Sequence, residues 1–346
     1  MTIRFAILSF AHYHANFWAQ AINASDDAVL VGIWDDVQAR GLRAAEEYAT
    51  AFYGDIDELL DECDAVGITS ETVKHADLVE RAAAAGKHIL LEKPMATTVA
   101  EARRIQVAVE RAGIIFMQNF PKRYDPINHE VVGKVRSGDL GKVSMVRVRH
   151  GNYHLLNLGE DVHKHWFGDP ALSGGGALID EGIHAVDFLL WLLGPPQTVY
   201  ATISSATLGL PLEDTALMTL TYASGVVAEI ATSNTLVAAE ESIEIYGTGG
   251  SAILSGVDLA SRDFSSAPFL KFHRHGDPRD QWDGAETVPY FRQGNFHQQG
   301  PLYFLRCISE GIGPVATLQE GLQSLMIVEA GYEAARTGTA QRLDFA

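Results

Sequence analysis

The stretch Lys87-His88-Ile89-Leu90-Leu91-Glu92-Lys93-Pro94 decides how this chain is read. Residues 88–91 are apolar or ambivalent, the pattern of a strand buried on both faces of a parallel sheet. The run stops at a carboxylate, an amine and a proline. In an open α/β sheet the carboxyl ends of the strands border the ligand crevice, so Lys93 is expected where cofactor and substrate meet. A lysine in a dry crevice has its pKa lowered and can relay protons. The same tripeptide also fits a solvated strand-end pair of Glu92 with Lys93, so the flanking sequence must decide.

Upstream, Phe5-Ala6-Ile7-Leu8, Val29-Leu30-Val31-Gly32-Ile33-Trp34 and Ala65-Val66-Gly67-Ile68 repeat the apolar strand pattern, with Ala51-Phe52-Tyr53 as a short edge-like run. Helical patterns run through Phe17, Trp18, Ala21 and Ile22, then over 39–48, 73–85 and 99–112, the last closed by Gly113. Ile114-Ile115-Phe116-Met117 ends the series. Strands alternating with helices of this length predict βαβ units and a doubly wound parallel sheet.

In such a sheet the first strand–helix turn normally carries glycines that admit a pyrophosphate to the helix N-terminus. Here it reads Ser9-Phe10-Ala11-His12-Tyr13-His14, without glycine. Ser9 and Ala11 fill the first two glycine positions and His14 the third. Small residues still allow close backbone approach, with less freedom in φ. His12 and His14 are read either as phosphate contacts or as packing. Asp35 ends the second strand about 20 residues on, where a carboxylate accepts from ribose hydroxyls and repels a 2′-phosphate. Asp36 adds to that repulsion, which favours NAD over NADP. An Asp there also fits a cap on the next helix.

The chain's 346 residues exceed one compact core and predict two domains, 1–121 and 122–346. A net charge of −18 argues against nucleic acid or an anionic membrane as partner. Cys63 and Cys307 are too few for a disulfide framework or a cysteine metal site. No apolar run approaches the roughly 20 residues of a membrane span. The opening apolar run turns polar by His12, too soon for a signal peptide, so a cytoplasmic location is the expectation.

Phe120-Pro121-Lys122-Arg123-Tyr124-Asp125-Pro126 breaks the alternation and reads as a link between domains. A helix over 128–137 follows, and then runs at 141–149, 198–207, 215–222, 225–232 and 242–247 alternate apolar and polar. They predict a largely antiparallel sheet with one covered face. Between them lies Ser173-Gly174-Gly175-Gly176-Ala177-Leu178-Ile179-Asp180-Glu181-Gly182-Ile183-His184-Ala185-Val186-Asp187. The glycines are read as a sharply bent, ligand-accessible loop. On the following helix Asp180 and His184 stand at i,i+4 and share a face. A carboxylate beside an imidazole makes a general base near neutral pH, although an Asp near a helix start with a satisfied core His fits the same spacing.

With both motifs in view, the chain resembles the glucose–fructose oxidoreductase/inositol dehydrogenase (Gfo/Idh/MocA) family. The matching residues are Gly86-Lys87-His88 leading to Glu92-Lys93-Pro94, and Gly174-Gly175-Gly176 leading to Asp180, His184 and Asp187. His75 after Thr69-Ser70, Arg123-Tyr124 with Pro126, and Trp166-Phe167 with Asp169-Pro170 also fit. The resemblance implies a nicotinamide-binding Rossmann domain. It also implies an α/β domain whose open antiparallel sheet often packs on another subunit, giving a homodimer or homotetramer. The implied reaction is hydride transfer at a secondary hydroxyl of a sugar, inositol or related polyol. Carried over, Lys93 hydrogen-bonds the reacting hydroxyl, Asp180 positions it and His184 takes the proton. The cofactor residues become Ser9, Phe10, Ala11, His12, His14, Asp35, Thr69, Ser70, His75, Glu92, Lys93 and Arg123. Tyr153, His163 and Trp166 join Lys93, Asp180 and His184 around the substrate. The Lys93–Pro94 peptide is often cis in the family. Two other readings stay open: an enzyme that keeps and recycles bound NAD, and a sensor without turnover. His12/His14, His163/His165 and His273/His275 are HxH pairs that could instead bind metal, but with no third ligand in view no site is assigned.

Overall fold

The computed structural model describes residues 2–236, 242–255, 270–279, 281–284 and 295–345, with only the backbone of Glu160, His163 and Asn295. Two compact units emerge, Met1–Tyr124 with Asn295–Leu322, and Asp125–Gly294 with Gln323–Ala346. The boundary expected near residue 121 is thus the first of several crossings, because Asn295–Leu322 returns to the first unit. The return is driven by burial: Phe304, Leu305 and Cys307 join the apolar core around Phe5, Trp18, Ile22 and Met117. The Phe304 ring meets Phe5 edge-on at 6.4 Å. Periodicity within a short window cannot see a segment that pairs with residues some 300 positions away.

In the first unit, β1 (Ile3–Leu8), β2 (Ala28–Trp34), β3 (Ala51–Tyr53), β4 (Ala65–Ile68), β5 (His88–Glu92) and β6 (Phe116–Asn119) form a parallel sheet. Its order is β3-β2-β1-β4-β5-β6. The order reverses between β1 and β4, and in doubly wound sheets ligands bind beyond the strand ends at that switch. The connecting helices are α1 (His14–Asn23), α2 (Gln38–Glu47), α3 (Ile56–Glu62), α4 (His75–Ala84) and α5 (Val99–Ala112). Ile89, Leu90 and Leu91 of β5 are wholly buried, as the unbroken apolar run requires. Thr98 caps α5 by accepting the Glu101 N–H, and Gly113 ends it with φ of 63°. The sequence reading missed α3. It holds only Ile56, Leu59 and Leu60 on its buried side, too short a pattern to register, and starts at an Asp55 cap.

The second unit is built on a nine-stranded sheet, ordered β14-β13-β12-β11-β7-β10-β9-β8-β15. Its strands are β7 (Val143–Gly151), β8 (Thr198–Ser204), β9 (Thr215–Thr221), β10 (Val227–Ser233), β11 (Ile243–Gly247), β12 (Gly250–Leu254), β13 (Leu270–Arg274), β14 (Asp283–Gly284) and β15 (Gln341–Arg342). All neighbours are antiparallel except β7 and β10. Alternation is clean in β9, where Ala216, Met218 and Leu220 are buried and Leu217 and Thr219 are exposed. The turn Leu178–Gly182 and the helix Ile183–Leu193 pack on the covered face. Among the described residues no helix is long and apolar enough to cross a membrane.

Candidate functional site

The turn after β1 keeps the shape of a glycine turn without the glycine. Ser9 has φ of 74°, the left-handed region in which an L-residue carries a penalty of about 1–2 kcal/mol. Its surroundings impose that conformation. Ser9 Oγ accepts the Ala11 N–H at 3.2 Å and an Arg40 N–H at 3.1 Å, and donates to Asp35 Oδ2 at 3.3 Å. The Ser9 carbonyl accepts from Thr69 Oγ1 at 2.6 Å, and the His12 N–H bonds the Thr69 carbonyl at 2.9 Å. The loops after β1 and β4 are therefore tied together at the switch point.

Asp35, the residue expected to face a ribose, braces this turn. Its buried carboxylate accepts from Phe10 N and Val37 N, both at 2.8 Å, and from Arg40 Nε at 2.8 Å. Arg40 also reaches Asp36 and Glu71, and Lys74 pairs with the same two carboxylates. Three acids thus enclose two cations beside the turn. Phe10 stacks on Tyr48 with ring centroids 5.7 Å apart. Arg40, Glu71 and Lys74 were not foreseen; only the i,i+4 spacing of Asp36 and Arg40 hinted at them.

His12, His14, Glu92 and Lys93 are all buried, Lys93 being 3% exposed. His14 Nδ1 lies 3.2 Å from Glu92 Oε2, which also accepts from Asn119 Nδ2 at 2.9 Å. The His14 ring packs against His12 at 4.2 Å and against His297 at 3.9 Å. Burial pushes both imidazoles well below the usual histidine pKa. The neighbouring His14 lowers His12 further, and Lys93 and Lys122 lower His14. The Lys93–Pro94 peptide is cis. His75 faces two main-chain carbonyls, Pro94 O at 2.9 Å and Ser70 O at 3.2 Å, so its ring positions the segment after Lys93. The hydroxyl of Ser70 bonds the Glu71 carbonyl. Arg123 pairs with Glu320 at 2.7 Å and with the Val315 carbonyl at 3.0 Å, which fastens the returning segment.

In the second unit, the regular α-helix expected through Asp180 and His184 is corrected. Leu178–Gly182 is a π turn with i→i+5 bonding, and α-helix begins only at Ile183. Glu213 explains how the turn starts. Its carboxylate accepts from Gly176 N at 3.0 Å and Leu178 N at 2.9 Å, and from Tyr332 Oη at 2.7 Å. The glycine loop is closely packed at its last residue, since a Cβ on Gly176 would lie 1.8 Å from the Glu213 carbonyl oxygen. Gly175 and Gly176 answer to crowding, and Gly174 takes a left-handed φ of 86° at the end of a short helical turn. His184 is 5% exposed, and its ring lies 5.0 Å from that of His150. His150 Nδ1 lies 3.1 Å from Glu181 Oε2, and Asn152 donates to Glu181 Oε1 at 2.8 Å. Alternation along β7 puts His150 with Val146 and Val148 on the covered face. That parity was the signal for His150; nothing local pointed to Glu213 or Tyr332. Trp166 is partly buried and stacks on Phe167 at 3.9 Å beside a small apolar cluster. Tyr153 precedes the helix His154–Leu158 and is partly buried. The His163 side chain lies outside the described residues.

Comparison with known proteins agrees with this division. Residues 3–120 match the model of an oxidoreductase family with an NAD-binding Rossmann fold, and residues 129–253 match the GFO/IDH/MocA C-terminal domain. An uncharacterised oxidoreductase of Synechocystis sp. is 30% identical over 316 residues, covering 84% of each chain. The 1,5-anhydro-D-fructose reductase of Ensifer adhaerens is 29% identical over 284 residues, covering 81% of this chain and 80% of the relative. The crystal structure of aldose-aldose oxidoreductase from Caulobacter crescentus, complexed with glycerol, superposes with a TM-score of 0.83 at 26% identity. It covers 99% of this chain and all of that one. Fold, strand order and both motif regions converge, and the chain belongs to the Gfo/Idh/MocA family of oxidoreductases, with an NAD-binding Rossmann domain followed by that family's C-terminal domain.

Proposed function

We propose that this protein transfers hydride between a secondary hydroxyl carbon of a sugar, inositol or related polyol and NAD. The observation that carries the reading is Lys93, an ammonium group almost wholly buried just after β5 of the parallel sheet. Such burial of a lysine is rare unless the charge has work to do. In this reading His184 is the general acid/base, with Lys93 and Asp180 assisting. When the alcohol is oxidised its hydroxyl proton goes to the His184 imidazole, and Lys93 donates a hydrogen bond to the oxygen. Asp180 orients the hydroxyl, and Tyr153, His163 and Trp166 contact the substrate. Bound NAD supplies the hydride acceptor. The Ser9 turn fits a dinucleotide because it keeps the left-handed backbone of a glycine turn at the switch of the sheet. Ser9, Phe10, Ala11, His12, His14, Thr69, Ser70 and Glu92 are the residues that would hold it. Asp35, His75 and Arg123 support them from behind.

The charges favour NAD over NADP. Arg40 and Lys74 are already paired with Asp35, Asp36 and Glu71, so a 2′-phosphate would meet a net negative group. The sugar names of the reductase and the aldose oxidoreductase support the substrate class. The exposed Met145, Tyr200, Leu217 and Val227 on the nine-stranded sheet support a homo-oligomer. A panel of sugars and polyols with NAD and NADP, read as reduced nicotinamide absorbance, tests the function. Turnover should vanish in Lys93→Met and in His184→Ala while NAD still binds. Full activity in both variants would refute the assignment. The likeness to an aldose-aldose oxidoreductase favours a second reading, in which NAD stays bound and is recycled. NAD retained through purification, with sugar interconversion but no NADH release, would select it.

A further inference from the structure

His12 and His14 from the turn after β1 and Glu92 from the end of β5 bring one donor atom each to within 4.8 Å of one another, and all three are buried. His14 Nδ1 and Glu92 Oε2 approach to 3.2 Å without the alignment of a hydrogen bond. Both ring nitrogens of His14, and Glu92 Oε1, have no hydrogen-bond partner among the described residues. Buried polar atoms are nearly always satisfied, and a cluster of exceptions calls for a water or an ion.

The spacing favours an ion. Two ligands of a tetrahedral cation with bonds of about 2.0–2.1 Å stand roughly 3.3 Å apart. That is close to the separation of His14 Nδ1 from Glu92 Oε2. Asn119 Nδ2 donates to the same Glu92 Oε2 at 2.9 Å, the kind of outer hydrogen bond that orients a metal ligand. His12 Nδ1 accepts the His14 amide N–H at 3.1 Å, which fixes its ring. In the metal-free protein the His12 proton therefore sits on Nε2, and coordination there would move it to Nδ1 at the expense of that bond. We propose that His12, His14 and Glu92 bind one divalent transition-metal ion of the zinc class, with a fourth position left for water or an anion. Two imidazoles and one carboxylate suit zinc, cobalt or iron and not the all-oxygen preference of magnesium or calcium. The proximity of Lys93 and Lys122 to His14 opposes a dication. It sets the affinity below that of a closed structural zinc site and favours an anionic fourth ligand. The site also explains why histidines stand in a turn where glycines are usual. The third ligand lies 78 positions beyond His14, out of reach of motif spacing.

The test uses tag-free full-length protein, titrated with Zn²⁺ against a chromogenic chelator and separately with Co²⁺. One Zn²⁺ per chain and visible Co²⁺ bands of tetrahedral intensity are expected in the unmodified protein, a readout that needs no variant to fold. His14→Ala and Glu92→Gln should each weaken Zn²⁺ binding at least about tenfold. His273→Ala, in another HxH pair, should leave it unchanged. Absence of stoichiometric Zn²⁺ or Co²⁺ binding overturns the proposal, as does binding that survives His14→Ala and Glu92→Gln together. An NAD titration run alongside keeps the questions separate, since metal binding without NAD binding refutes only the cofactor reading.

Discussion

Two turns in this molecule invert the usual logic of glycine. The turn at Ser9 adopts a glycine backbone with no glycine, while Gly175 and Gly176 are glycines that packing requires. At Ser9 the left-handed conformation is held by hydrogen bonds from Ala11, Arg40 and Thr69. At Gly176 the main chain passes so close to Glu213 that any side chain collides with it. A glycine motif is therefore evidence about backbone space, and a ligand is only one reason for needing that space.

The contrast can be broken most severely at Gly176. Gly176→Ala is expected to destabilise the fold by more than about 4 kcal/mol, since a main-chain oxygen cannot rotate away, and urea denaturation would measure this. A loss under 1 kcal/mol would show the backbone to be pliable there. The next effect concerns acid. Burial lowers the pKa of His12, His14 and His75 below the ordinary 6.5. The unfolded chain then binds more protons than the folded one as pH drops below 6.5. Stability present above that value should fall by up to about 1.4 kcal/mol per pH unit for each imidazole. Equal urea midpoints at about pH 7.5 and about pH 5 would contradict the burial argument. Tyr332→Phe removes one donor to the Glu213 carboxylate and should cost about 1.5–3 kcal/mol. The smallest effect sharpens the comparison. Ser9→Ala keeps the backbone penalty and loses the hydroxyl bonds, whereas Ser9→Gly loses the bonds and relieves the penalty. Ser9→Ala should therefore be the less stable by about 1 kcal/mol, and the reverse order would show that φ at Ser9 is unstrained.

The parallel sheet was legible because its strands are unbroken apolar runs, and the end of α5 was legible because Gly113 closes it. The π turn at Leu178–Gly182 was not legible, since a change from i→i+4 to i→i+5 bonding leaves the local pattern of residue types unaltered. Lys93 and His184 stood out in sequence and both prove buried. Asp35, His75 and Arg123 have their polar atoms engaged by other parts of their own unit, through partners as remote as Glu320. Arg40 and Glu213 were missed because their roles depend on partners from distant strands and turns.

The central claim is that a Rossmann turn without glycine still binds a dinucleotide. Calorimetric titration of the unmodified protein with NAD and with NADP tests it most directly. One NAD per chain, bound more tightly than NADP, is the predicted result; no heat of binding with either nucleotide would contradict it.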